Sequence, residues 1–150
     1  MYGSIYGSLV LSVLLYGAES WPIRPSQLAQ FFHRRCLHSI LGVHQSDAIS
    51  AEELLRHTQL CNIGTTIRRL RLRWLGHIMH MPGERVARQA LFGQLTGTRP
   101  VGSLPVTLRG LMRKDKDVLL LNGGGQVHGR RWYQQCMEKV AWRTSIDSVL

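Results

Sequence analysis

Ile63-Gly-Thr-Thr-Ile67-Arg-Arg-Leu70-Arg-Leu-Arg73-Trp-Leu-Gly-His77-Ile-Met79-His80-Met81-Pro82-Gly83 is the longest stretch with one clear period. At about 100° per residue, Ile63, Ile67, Leu70, Trp74 and Ile78 fall in one stripe, and Arg69, Arg73, His77 and His80 fall nearly opposite. A helix over 63–81 is the reading, halted by Pro82-Gly83. No acid lies between Ile63 and Met81. The repulsion among Arg68, Arg69, Arg71 and Arg73 is therefore expected to be uncompensated along the helix, and a bound polyanion would relieve it.

Working outward, the same helical punctuation recurs. The apolar stretch Tyr6–Tyr16 reads as a helix buried on most faces, ended by Trp21-Pro22-Ile23-Arg24-Pro25. Ser26 opens a second helix from about Gln27 to Leu41, with Gly42 as its C-terminal cap. Its apolar ridge is expected along Leu28, Phe32, Cys36 and Ile40, with Arg34 and His38 pointing elsewhere and His33 a hydrogen-bonded packing residue. Ser50-Ala-Glu-Glu53 has the form of a capping box and starts a third helix, to about Thr58. A short helix over 84–95, one over 106–121 and a last one over 130–149 complete the reading. The segments Gly97–Pro105 and Gly123-Gly124-Gly125 break it. No strand alternation persists, so the expected class is all-α: an irregular bundle of five to seven helices, with a helical domain over 1–95 and a C-terminal extension over 96–150.

The 150 residues carry 19 Lys and Arg against 9 acids, a net charge of +10, and only Lys114, Lys116 and Lys139 are lysines. Residues 24–99 hold eleven arginines against Asp47, Glu52, Glu53 and Glu84. The planar guanidinium suits phosphate, so the excess points to a polyanionic partner. With 44% hydrophobic residues the chain is neither a disordered tail nor a membrane protein, and Ile5–Tyr16 is too short to span a bilayer. Cys36, Cys61 and Cys136 form no CxxC pair, which favours a reducing, intracellular compartment over a disulfide scaffold. His33-x-x-Cys36 and His77-x-x-His80 have ligand spacing, but four ligands would require two such pairs to meet, so no metal or cofactor is expected. Asp115-x-Asp117, flanked by lysines, reads as a salt-bridged surface rather than a two-metal site.

The segments Ser8-Leu-Val-Leu-Ser-Val-Leu-Leu-Tyr-Gly-Ala-Glu-Ser-Trp21, Phe32-His-Arg-Arg-Cys-Leu-His-Ser-Ile-Leu-Gly42, Ser50-Ala-Glu-Glu-Leu-Leu55 and Arg68-Arg-Leu-Arg-Leu-Arg-Trp-Leu-Gly-His77 come in a characteristic order. Met81-Pro82, Leu91-Phe-Gly93, Gly97-x-Arg99-x-x-Gly102 and Arg109 through Asp115 follow, with Trp132 and Val140-Ala-Trp142 more faintly behind. This succession resembles the region that follows the catalytic palm in non-LTR (LINE-type) retrotransposon reverse transcriptases. The resemblance implies a thumb and post-thumb fragment of an RNA-directed DNA polymerase, without the palm that supplies paired aspartates and without an endonuclease domain. No Asp-Asp pair occurs in the chain. Ser103-Leu-Pro-Val-Thr-Leu108 also lacks most of the cations usual after the glycine loop.

The expected function is therefore backbone-directed RNA or DNA binding through Arg34, Arg35, Arg68, Arg69, Arg73 and His77, with no catalytic residue, no small-molecule substrate and a tendency to self-associate. Two alternatives stand beside it. One is a basic helical module for an acidic protein or anionic membrane; the other is a remnant of a decayed element without selected function. For want of converging carboxylates, the isolated chain should extend no primer on an RNA template with any divalent ion. Chelator-sensitive extension above a protein-free control would overturn this.

Overall fold

The computed structural model describes residues 2–21, 28–93, 108–122 and 136–149. The chain is all-α, and the described residues contain no strand. Its contacts gather into two compact units, one of Met1–Ala18 with Arg24–Ile67, the other of Glu19–Ile23 with Arg68–Leu150. The chain passes between them after Ala18, after Ile23 and after Ile67, the last inside the long helix; the 95/96 boundary expected beside the Gly/Pro segment lies outside the described residues. That segment, residues 22–27 and the triple glycine lie outside the described residues.

The first unit opens with α1 (Tyr2–Ile5), which passes through a wider π-type turn over Tyr6–Val10 into α2 (Leu11–Leu14). Ser12 Oγ donates to the Ser8 and Leu9 carbonyls, the kind of back-bonding that bends a helix. Contrary to the expectation of burial, this run is largely exposed. Leu9, Val13 and Tyr16 are 63%, 78% and 88% accessible, and only Tyr6 and Leu15 are buried. An all-round apolar pattern shows that a helix can be buried; a partner surface must exist to bury it.

α3 (Leu28–Leu41) and α4 (Ala51–Thr58) pack on each other and on α1. α3 ends as its sequence requires. Gly42 takes φ +66°, its N–H bonds the Ser39 carbonyl and the Val43 N–H reaches the His38 carbonyl, closing a Schellman motif. α4 starts on Ser50, whose Oγ accepts from the Glu53 N–H at 3.2 Å. It ends in the same bond pattern, but with Gln59 in the left-handed conformation.

The core of this unit joins Tyr6, Leu37 and Leu54, with Cys36, Ile40 and Leu60 partly buried around them. The buried face of α3 therefore lies about one position off the expected ridge. Phe32 is 47% exposed, while His33 and His38 are buried. His33 is the packing residue expected: its Nδ1 lies 3.2 Å from the Tyr6 hydroxyl, and the two rings stack at 5.7 Å. Burial pulls His33 below the ordinary imidazole value and pushes Tyr6 above the ordinary phenol value, Cys36 adding to the latter.

α5 (Ile63–Met79) begins in the first unit and supplies the central element of the second. Its last turn stops short of the expected Met81: the N–H groups of His80 and Met81 bond three residues back, to His77 and Ile78, and Arg88 Nη1 donates to the carbonyls of Met79 and Met81. Arg88 sits on α6 (Val86–Phe92), which packs on α7 (Leu108–Asn122); α7 in turn packs on α8 (Lys139–Val149). Leu72, Leu75, Ile78, Met79, Leu91 and Met112 form the core with Cys136, Trp142 and Ile146.

Arg71 lies wholly buried in this unit, in the same i, i+4 row as Ile67 and Leu75. Asp115, 6% exposed, faces it, with Arg71 Nη1 3.2 Å from Asp115 Oδ2 and Arg68 Nε 3.2 Å from Asp115 Oδ1. Asp115 is thus a buried counter-ion and not part of a salt-bridged surface. The repulsion along α5 is compensated after all, by acids on α7 and α8. Burial draws the Arg71 guanidinium down from its usual range, Asp115 opposes that shift and Arg68 adds to it. The Arg71 nitrogens make no well-aligned hydrogen bond, so the pair holds through charge.

Removing Asp115 alone strands two cations, one of them in the core. Asp115→Ala should therefore cost about 3–5 kcal/mol, whereas the double change Arg71→Met with Asp115→Leu should cost much less. Denaturant midpoints of the two variants check this; equal losses would mean that the pair is not the source.

Candidate nucleic-acid interface

α5 and α8 meet where a side chain is missing. Gly76 is buried, and a Cβ placed on it would lie 2.6 Å from Trp142 Cδ1 and 2.7 Å from Nε1. Only glycine admits the indole this close. Trp142 Nε1–H then donates to the Leu72 carbonyl at 2.9 Å, which fixes the buried ring against the turn of α5.

Around this contact the two helices line a cavity of about 550 Å³. α5 contributes Arg73, His77 and His80; α8 contributes Lys139, Arg143 and Asp147 at successive i, i+4 positions. Three permanent cations thus face one carboxylate. Arg73 Nη2 holds Asp147 Oδ1 at 2.8 Å, and Arg69 Nε stands 3.8 Å from the same oxygen. Among the described residues no ion pair involves Lys139 or Arg143. His80 Nε2 is buried without a hydrogen-bond partner. The net positive field and the abundance of N–H donors suit a phosphate or another oxyanion.

The residues expected from sequence divide accordingly. Arg73 and His77 are exposed and line the cavity. Arg69 is partly buried beside Asp147, and Arg68 is bonded to Asp115, where it supports the core. Arg34 and Arg35 belong to the first unit, both exposed, and Arg34 Nη2 donates to the Ile49 carbonyl at 3.4 Å. Lys139, Arg143 and Trp142 were missed as site residues. The i, i+4 spacing of Lys139, Arg143 and Asp147 was the available signal, and it becomes meaningful only beside α5.

Among the described residues no three His, Cys, Asp or Glu side chains gather closely enough to hold a metal ion. No described helix is long and apolar enough to cross a membrane. No family model, curated protein or solved structure matches this chain.

Because Gly76 sets the approach of α5 to Trp142, Gly76→Ala should cost about 1–3 kcal/mol by overpacking. It should also redshift the Trp142 fluorescence as the ring is displaced. An unchanged melt and spectrum would show that the helices separate without strain.

Proposed function

We propose that this chain holds RNA or DNA by its phosphate backbone through the cleft between α5 and α8. We further propose that it is a thumb-type segment of the non-LTR reverse transcriptase kind. The observation that carries the binding half is the set of cations from two helices, Arg73, Lys139 and Arg143, around the fixed floor of Gly76 and Trp142. The family half rests on the ordered motifs from Ser8 to Asp115.

Contacts of this kind position a strand without reading its sequence. Neutralising three phosphates gives a log–log salt slope of about −2 to −3. Changing Lys139 and Arg143 together to Gln should weaken binding to all sequences alike and flatten that slope by about 1.5 units. Both side chains are exposed, so helicity should hold. Glu52→Gln with Glu53→Gln, on α4, should leave the slope alone. An unchanged slope in the folded Lys139/Arg143 variant removes the cleft as the binding surface.

The exposed apolar residues of the N-terminal run, Leu9, Val13 and Tyr16, favour a second reading as an interaction module whose partner covers them. A monomer with no affinity for nucleic acid and with saturable binding to an acidic protein would select it.

A further inference from the structure

The first unit contains a second cavity, of about 350 Å³, at the small end of ligand-sized pockets. Its walls are apolar, from Leu37, Leu54 and Ile63, and His33 lies among them. His33 is 4% exposed. Its Nδ1 is engaged by the Tyr6 hydroxyl, and its Nε2 is buried with no partner. At the mouth stand Phe31, 77% exposed, and the exposed cation Arg34. Asn62 completes the rim; its Oδ1 accepts from the Gly64 N–H at 2.8 Å, which leaves its amide N–H groups available.

We propose that this cavity takes a single unstacked nucleobase. A base needs apolar surface against both faces of its ring, a polar partner for its edge, an aromatic neighbour and a nearby cation for its phosphate. Leu37, Leu54 and Ile63 supply the first, the Asn62 amide the second, Phe31 the third and Arg34 the fourth. An aliphatic chain would use neither Asn62 nor Arg34. The inference rests on the nucleic-acid reading but on different residues, and it adds a base-dependent component to binding that the α5–α8 cleft cannot provide.

The test uses the full chain with two probes. Nucleoside monophosphates are titrated while the His33 imidazole signals are followed by NMR. Short single strands are compared with abasic strands of the same length, which carry the same phosphates and no bases. The base-bearing strand should bind about tenfold tighter than the abasic one, as expected of one stacked base. The nucleotide should move the His33 signals. Ala51→Phe, at an exposed position on the cavity wall, should abolish both effects and leave abasic affinity unchanged. Phe31→Ala, too exposed to affect folding, should reduce the base advantage.

Equal affinity for the two strands, or His33 signals indifferent to nucleotide, overturns the base pocket while backbone binding stands. Conversely, His33 shifts that Ala51→Phe abolishes, with no affinity for the abasic strand, keep the pocket and remove the cleft.

Discussion

A guanidinium without water must find its counter-charge inside the protein, and the second unit is organised around that requirement. Arg71 has no exposed surface, and Asp115 on α7 is its buried counter-ion, shared with Arg68. Desolvating the two charges costs more than most single contacts return, so the pair is a poor source of stability but a strict condition on arrangement. A shift of α7 along α5 by one turn would leave both charges stranded. The apolar contacts of Leu72, Leu75, Met112 and Trp142 are far more forgiving, since hydrophobic groups can repack at modest cost.

The same pairing divides the labour among the arginines of α5. Arg68 and Arg71 are committed to Asp115, and Arg69 and Arg73 lean on Asp147. Of the cations that line the cleft, Lys139 and Arg143 on α8 have no ion pair among the described residues. A basic helix thus becomes a scaffold whose charge is largely answered from within, while the surplus that could meet an oxyanion comes from its neighbour.

Local signals were the ones the sequence displayed in full. Ser50 before Glu53 and Gly42 after Leu41 act within one turn of backbone, and both sit where their chemistry put them. His33 was readable as a packing residue because a histidine among Phe32, Cys36 and Leu37 needs a polar partner. Signals that depend on distant partners were hidden. The i, i+4 rule could not assign Arg71 to the apolar row, because its justification lies 44 positions away at Asp115. The buried face of α3 slipped by about one position because Phe31, Phe32, Cys36 and Leu37 satisfy two adjacent stripes equally well. The apolar Leu9–Tyr16 run looked like core because composition does not reveal whether a covering surface exists. Of the candidate site, Arg73 and His77 were legible from the stripe on α5; Lys139, Arg143 and Trp142 required the second helix.

The chain passes from the first unit to the second for the last time between Ile67 and Arg68, in the interior of an unbroken helix. At that crossing there is no loop to cut. A protease that cuts there must first unwind α5, exposing Ile67 on one side and Leu72 on the other. Genetic exchange at that point would divide a turn of helix and not a linker.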